Sequence, residues 1–214
     1  MLHNTKGDVL MVEVLLGGFW AASYLLIVIF SIAYHSEKKV FMPLISGMLN
    51  FGWEIFALRT SGGYWVHIVW LLLDCIILAY NIFILDGFKK KLTYALMTAA
   101  CIPLLYFVFQ TSFFDGMLIS SFVIDIIMAL EYLLFAKWLS GRGQIAIGVF
   151  RLLGDFFAWY GNRRFSKFVL VAGMIVLALN LAYVATCFFI QEKQIAKPKP
   201  KSKAKKNQKK RKKK

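Results

Sequence analysis

Seven stretches of about 20 mostly apolar residues, at about 9–33, 41–59, 64–85, 92–110, 116–136, 144–161 and 168–190, take up nearly the whole chain. Each is long enough to cross the roughly 30 Å hydrocarbon core of a bilayer as a helix. Lipid offers backbone groups no partner, so stretches of this kind must bond internally. The pattern predicts an all-α integral membrane bundle of about seven transmembrane helices. The connections are short and hold turn and charge chemistry: His35-Ser-Glu-Lys-Lys39, Ser61-Gly-Gly63, Asp86-Gly-Phe-Lys-Lys-Lys91, Ser140-Gly-Arg-Gly143 and Asn162-Arg-Arg164. Residues 1–192 therefore read as one transmembrane domain, with no room for a second. With 59% apolar residues, 17% charged and a mean hydropathy of +0.64, a soluble globular enzyme is excluded.

Charge is distributed unevenly. Of the 26 Lys and Arg, 13 fall between Lys193 and Lys214, where there is no acid, and the rest of the chain is close to neutral. Residues 193–214 read as a disordered Lys-rich tail. A tail of this kind anchors topology, or grips anionic headgroups of membrane lipids. It has no aromatic residue to stack on bases, so nucleic acid is not an expected partner. The loops after spans one, three and five hold Lys38, Lys39, Lys89, Lys90, Lys91, Lys137 and Arg142. That excess places the N-terminus outside and the C-terminus in the cytoplasm. Met1 to Asp8 lacks the features of a cleavable signal, so the first span is expected to be kept. Cys75, Cys101 and Cys187 lie in apolar runs without ligand spacing and read as small hydrophobes.

Ionisable groups are costly inside a bilayer, and each one in a span is a candidate for function. Here they are Glu13, Glu54, Asp74, Asp125, Glu131, Arg151 and Asp155. At about 1.5 Å per residue, Glu13, Glu54 and Asp155 lie about 6–9 Å from the outer end of their spans, and Asp74, Asp125 and Arg151 about 13–15 Å. Glu131 lies deeper, at about 22 Å, where it could snorkel toward Lys137. Acids from several helices at similar depth predict one polar cavity, lined by Glu54, Asp74, Arg151, Asp155 and Asn180.

Helical spacing adds detail. Asn50 with Glu54, and Arg151 with Asp155, are i, i+4 pairs; His67, Trp70, Asp74 and Asn81 form one stripe; Asn180 and Tyr183 are i, i+3. Arg151 with Asp155 fits a structural ion pair as well as a functional one. His67, within a turn of its span's end, reads as an interfacial histidine, and Asn50 and Asn180 fit interhelical glue as well as a site. Glu54 is the least comfortable as structure. It follows Trp53 in an aromatic helix with no basic residue one turn away, and is expected to stay protonated as an acid ready to donate.

The string Met42-Pro-Leu-Ile-Ser-Gly-Met-Leu-Asn-Phe-Gly-Trp-Glu54 resembles the second-span Asn-x-x-Trp-Glu signature of the membrane-integral terpene cyclases of fungal meroterpenoid and indole-diterpene pathways and their bacterial relatives. Leu139-Ser-Gly-Arg-Gly-Gln-Ile-Ala-Ile-Gly-Val-Phe-Arg151-Leu-Leu-Gly154 is similar to that family's loop and Arg-x-x-Gly-Thr pattern, and Trp70-Leu-Leu-Leu-Asp74 to its third span. The resemblance covers about residues 10 to 190 and implies a seven-span enzyme that cyclises a prenylated or epoxidised prenyl substrate by protonation. It places the proton donor on Glu54, aided by an Asp in a Leu-Asp-x-x-Tyr pattern. That pattern reads Leu179-Asn180-Leu-Ala-Tyr183 here, with Asn for Asp, while the Thr after Arg-x-x-Gly is Asp155. Against the family pattern this implies one of two things: a carboxylate moved from span seven to span six, or protonation chemistry altered or lost, as in a catalytically dead member of the fold.

The expected catalytic set is Glu54, Asp155 and Asn180, with Asn50, Trp53, Trp70, Asp74, Arg151 and Tyr183 holding a lipophilic substrate. Cation cyclisation needs a dry acid and aromatic faces, and 16% of the residues are aromatic. No DDxxD, P-loop or HExxH occurs, so neither metal nor cofactor is expected. The competing reading is a small proton-coupled carrier, since intramembrane acids on several helices also describe a relay. Transporters break helices at midplane in matching halves. Only Pro103 is a mid-span proline here, and the halves do not mirror each other.

Overall fold

The computed structural model describes residues 6–60, 65–110, 117–139 and 143–195. Within them are seven α-helices and no strand: α1 Lys6–Ala33, α2 Leu44–Thr60, α3 Trp65–Ile84, α4 Phe88–Gln110, α5 Met117–Leu139, α6 Gln144–Asn162 and α7 Lys167–Ile195. One 3₁₀ turn, His35–Glu37, follows α1. Ser61–Gly63, Ser140–Arg142 and residues 196–214, most of the expected tail, lie outside the described residues.

Five helices, α1, α3, α4, α5 and α7, are long and apolar enough to cross a membrane. The other two, α2 and α6, together hold five of the nine candidate site residues. α2 has 17 residues, about 26 Å of helix, and α6 gives Gln144, Arg151 and Asp155 to one buried face. The surface is apolar, and charged and polar side chains are held inside among the apolar core. Glu54, Asp74, Gln144, Arg151 and Asn180 are at most 1% exposed, whereas Trp65, Leu72, Phe107, Leu134, Trp138 and Phe189 are each at least 60% exposed. Water would reverse that arrangement, and a bilayer imposes it. The protein is membrane-embedded.

Six helices close a ring. α1 packs on α6, α6 on α7, α7 on α5, α5 on α2, α2 on α3, and α3 on α1. α4 stands outside, against α2 and to a lesser extent α3. In this order α2 and α6 are opposed across the interior. At one end, Lys38 bonds Asp86 at 2.5 Å and Tyr80 donates to the Lys39 carbonyl at 2.8 Å, so the α1–α2 and α3–α4 connections share a side. The Lys38 ammonium holds the exposed Asp86 carboxyl below its usual range. That small contribution is present above the ordinary Asp pKa of about 3.9 and fades as pH falls below it.

α2 begins without a cap of its own. The Pro43 carbonyl accepts the first helical bond from Gly47 at 3.0 Å, but proline has no side-chain acceptor to offer. Glu131 of α5 supplies one. Its Oε2 accepts from the Ser46 backbone N–H at 2.6 Å and from Ser46 Oγ at 2.5 Å. The expected snorkelling of Glu131 toward Lys137 is therefore corrected: a helix N-terminus takes the carboxyl inward. Glu131→Ala should cost about 1–3 kcal/mol, read in detergent as a melting point lower by about 2–4 °C per kcal/mol.

Candidate functional site

One wall of the site is the α2–α3 interface. α3 buries His67, Trp70, Asp74, Ile77, Leu78, Asn81 and Ile84, which includes the stripe read from the sequence. α2 answers it with residues one turn apart. Glu54 Oε2 meets His67 Nδ1 at 2.8 Å, and Asn50 donates to Asp74 Oδ2 at 2.6 Å. Further along, Asn81 donates to the Tyr94 hydroxyl at 3.1 Å, and Tyr94 to the Leu44 carbonyl at 3.0 Å. The result is a ladder of polar pairs. His67, within a turn of the start of α3, is turned into the protein: the ring is 7% exposed and meets Trp53 and Trp70 at 5.7 and 5.5 Å between ring centres. Trp53 is held by its indole N–H, which donates to Ser120 Oγ at 3.0 Å.

The opposite wall is α6 with α7. Gln144, Ile147, Gly148, Arg151, Gly154 and Asp155 recur at helical spacing on the buried face of α6. Asn180 donates to Asp155 Oδ2 at 2.5 Å, which brings together the two positions that depart from the cyclase pattern. Arg151 does not pair with Asp155; no ion pair to Arg151 occurs among the described residues. Its guanidinium lies 4.0 Å from the Tyr132 ring centre and 5.4 Å from that of Trp20. Nε, Nη1 and Nη2 have no hydrogen-bond partner, nor do Asp155 Oδ1, Asn180 Oδ1 and Asp74 Oδ1.

Trp20 reaches this position because residue 154 is glycine. A Cβ there would stand 2.6 Å from Trp20 Cδ1. Gly154→Ala should move the indole and cost about 1–3 kcal/mol by overpacking, checked by melting point and tryptophan emission.

The two walls meet through α1 and α5. Tyr24 of α1 lies within electrostatic reach of Asp74, Glu54, Arg151 and Asp125, and Asp125 of α5 within reach of both Glu54 and Asp155. All nine residues expected in the site are buried. Eight belong to the two walls and their linings. Tyr183 is turned to structure, donating its hydroxyl to Gln144 Oε1 at 2.6 Å, while Gln144 donates to the Phe41 carbonyl at 3.3 Å. Glu13 is exposed on α1, apart from the cluster.

A groove of about 700 Å³ lies elsewhere, between α2 and α4, lined by residues including Ile55, Phe56, Arg59, Pro103 and Tyr106 and by none of the site residues. Its lining residues on α2 stand roughly 100–200° around that helix from Glu54. Sequence reasoning missed His67, Tyr24 and Tyr132 as members of the site. The His67 stripe spacing was the signal that could have found it; no spacing marks the two tyrosines. No group of side chains suited to a metal ion occurs among the described residues. No known protein family, curated protein or solved structure matches the chain.

Proposed function

We propose that the chain is a terpene cyclase-like membrane enzyme of seven spans that starts carbocation cyclisation by protonation from Glu54. The observation that carries the reading is the Glu54–His67 pair: a carboxyl 1% exposed, 2.8 Å from an imidazole, with Trp53 and Trp70 edges around it. The acid gives its proton to an alkene carbon or epoxide oxygen of a lipophilic prenyl chain. Alkene π electrons then form the C–C bond at the cationic carbon. Indole and phenol faces stabilise the passing charge by about 0.5–2 kcal/mol each. The last cation loses a proton to a carboxylate of the cluster, so no proton is consumed overall. His67 steadies the carboxylate left on Glu54, and the proton taken up by the cluster returns to Glu54 through the imidazole, one ring nitrogen accepting as the other gives.

The Asp155–Asn180 bond supports the same reading, because it puts a carboxyl beside the span-seven position where the family pattern has one. α2 and α6 complete the seven spans, their polar faces turned to the ring. The N-terminus is outside, and the basic C-terminus is cytoplasmic, near anionic headgroups.

The α2–α3 ladder favours one other reading, a proton-coupled carrier. One pair of measurements separates them. Membranes holding the protein, incubated in D₂O with plain and epoxidised prenyl substrates, should yield a cyclic product carrying one deuterium. Proteoliposomes should show no substrate-dependent proton flux. Flux without product would overturn the enzyme in favour of the carrier.

A further inference from the structure

The unmatched groups around Arg151 are of two kinds. Arg151 is 0% exposed, and its three nitrogens make no hydrogen bond of ordinary geometry, with the Tyr132 side chain close enough to act on it; Asp155 and Asn180, along the α6 face and on α7, each have an Oδ1 without such a bond, with Trp20 close to Asp155. The Tyr132 and Trp20 rings attract the face of the guanidinium, and the one Tyr132 hydroxyl can answer only part of the five N–H groups that point outward in its plane. Protein interiors leave few polar groups unmatched, and those that remain call for an explanation. Donors and acceptors left over at one place are complementary to a single small group. Glycines three residues to either side of Arg151 let aromatic rings pack closely on α6: a Cβ at Gly148 would lie 2.9 Å from Tyr183, and one at Gly154 2.6 Å from Trp20.

Charge selects the group. Arg151 already acts on Asp125 and Asp155. An oxyanion would add negative charge among these acids and leave both Oδ1 atoms unmatched. An ammonium would face the guanidinium. A hydroxyl has lone pairs to accept from Arg151 and a hydrogen to give to Asp155 or Asn180.

We propose that Arg151, Asp155 and Asn180 form a receptor for the hydroxyl end of a lipophilic alcohol whose hydrocarbon lies in the ring interior. Arg151 donates to the hydroxyl oxygen, and an Oδ1 of Asp155 or Asn180 takes its hydrogen. The site stands on this geometry whether or not cyclisation follows, and its test reads binding without turnover. The full chain in phosphatidylcholine nanodiscs is dialysed against radiolabelled dodecan-1-ol, dodecane and dodecanoate, with empty nanodiscs subtracted. Dodecan-1-ol should bind about tenfold more tightly than dodecane, the gain of hydrogen bonds to a charged partner, and more tightly than dodecanoate. Equal binding of alcohol and alkane would mean that water alone fills the seat, and tighter dodecanoate an anion site; either overturns the proposal. Arg151→Met should erase the preference, as should Asn180→Leu on the neighbouring helix if the first variant does not insert. A preference that survives in an inserted variant overturns it too.

Discussion

Glu54→Gln is expected to lower turnover of a prenylated substrate by about 10²–10⁴-fold while the protein inserts and folds as before. The magnitude is that of general-acid catalysis lost at one group, and the reason lies in the setting of the side chain. Its partners are an imidazole at 2.8 Å and the rings of a dry interface, with Asp125 in electrostatic reach. Glutamine keeps the shape and still bonds His67, so packing is preserved and only the transferable proton is lost. His67→Gln should lower kcat less than this and change its pH dependence, because the imidazole acts through Glu54 and touches no reacting atom in this reading. Turnover near the native level in inserted Glu54→Gln would place the proton elsewhere and remove the main support for the cyclase reading.

Much of this arrangement was legible in the chain, for definable reasons. Apolar runs of about 20 residues report helices with little ambiguity, and the 3.6-residue period placed His67, Trp70, Asp74 and Asn81 on one face before any neighbour was known. The partner of each residue was not legible, because periodicity gives the face of a helix and says nothing of what that face meets. His67 looked interfacial from its distance to the helix end. Its burial follows from the α2 carboxyl opposite, a contact between helices. Arg151 and Asp155 looked like an ion pair because i, i+4 spacing permits one. Tyr132 of α5 and Trp20 of α1 take the guanidinium instead. Glu131 was read against its own helix, and its partner is a backbone N–H 85 residues away.

The ring order gives the departures from the cyclase pattern a physical meaning. α2 and α6 face each other across the interior, so a substrate between them would have the Glu54–His67 pair on one side and the Asp155–Asn180 pair on the other. A carboxyl delivered from α6 or from α7 reaches the same place when the two side chains are joined at 2.5 Å. In the proposed cyclase, what matters is then one carboxyl and one amide at this wall, whichever helix carries each.

That equivalence sets the second large effect, which is on the exchange of the pair. Asp155→Asn leaves two amides and no carboxyl, and turnover at saturating substrate should fall by at least about 100-fold, the lower end for loss of an acid–base group. Asn still has an Oδ1 to accept a hydroxyl hydrogen, so substrate affinity should change little, and the loss should appear in kcat rather than KM. Asn180→Asp added to Asp155→Asn returns the carboxyl to the wall from α7, shifted by the length of one hydrogen bond, with the amide donor now on α6. The double variant should recover to within about tenfold of the native rate, although each helix then carries the other's side chain. A strongly non-additive cycle of this kind is the signature of two residues acting as one unit. If Asp155→Asn alone is harmless, this wall does no acid–base chemistry. If the double variant stays as impaired as Asp155→Asn, the carboxyl is tied to α6, and the transfer between spans does not describe this protein.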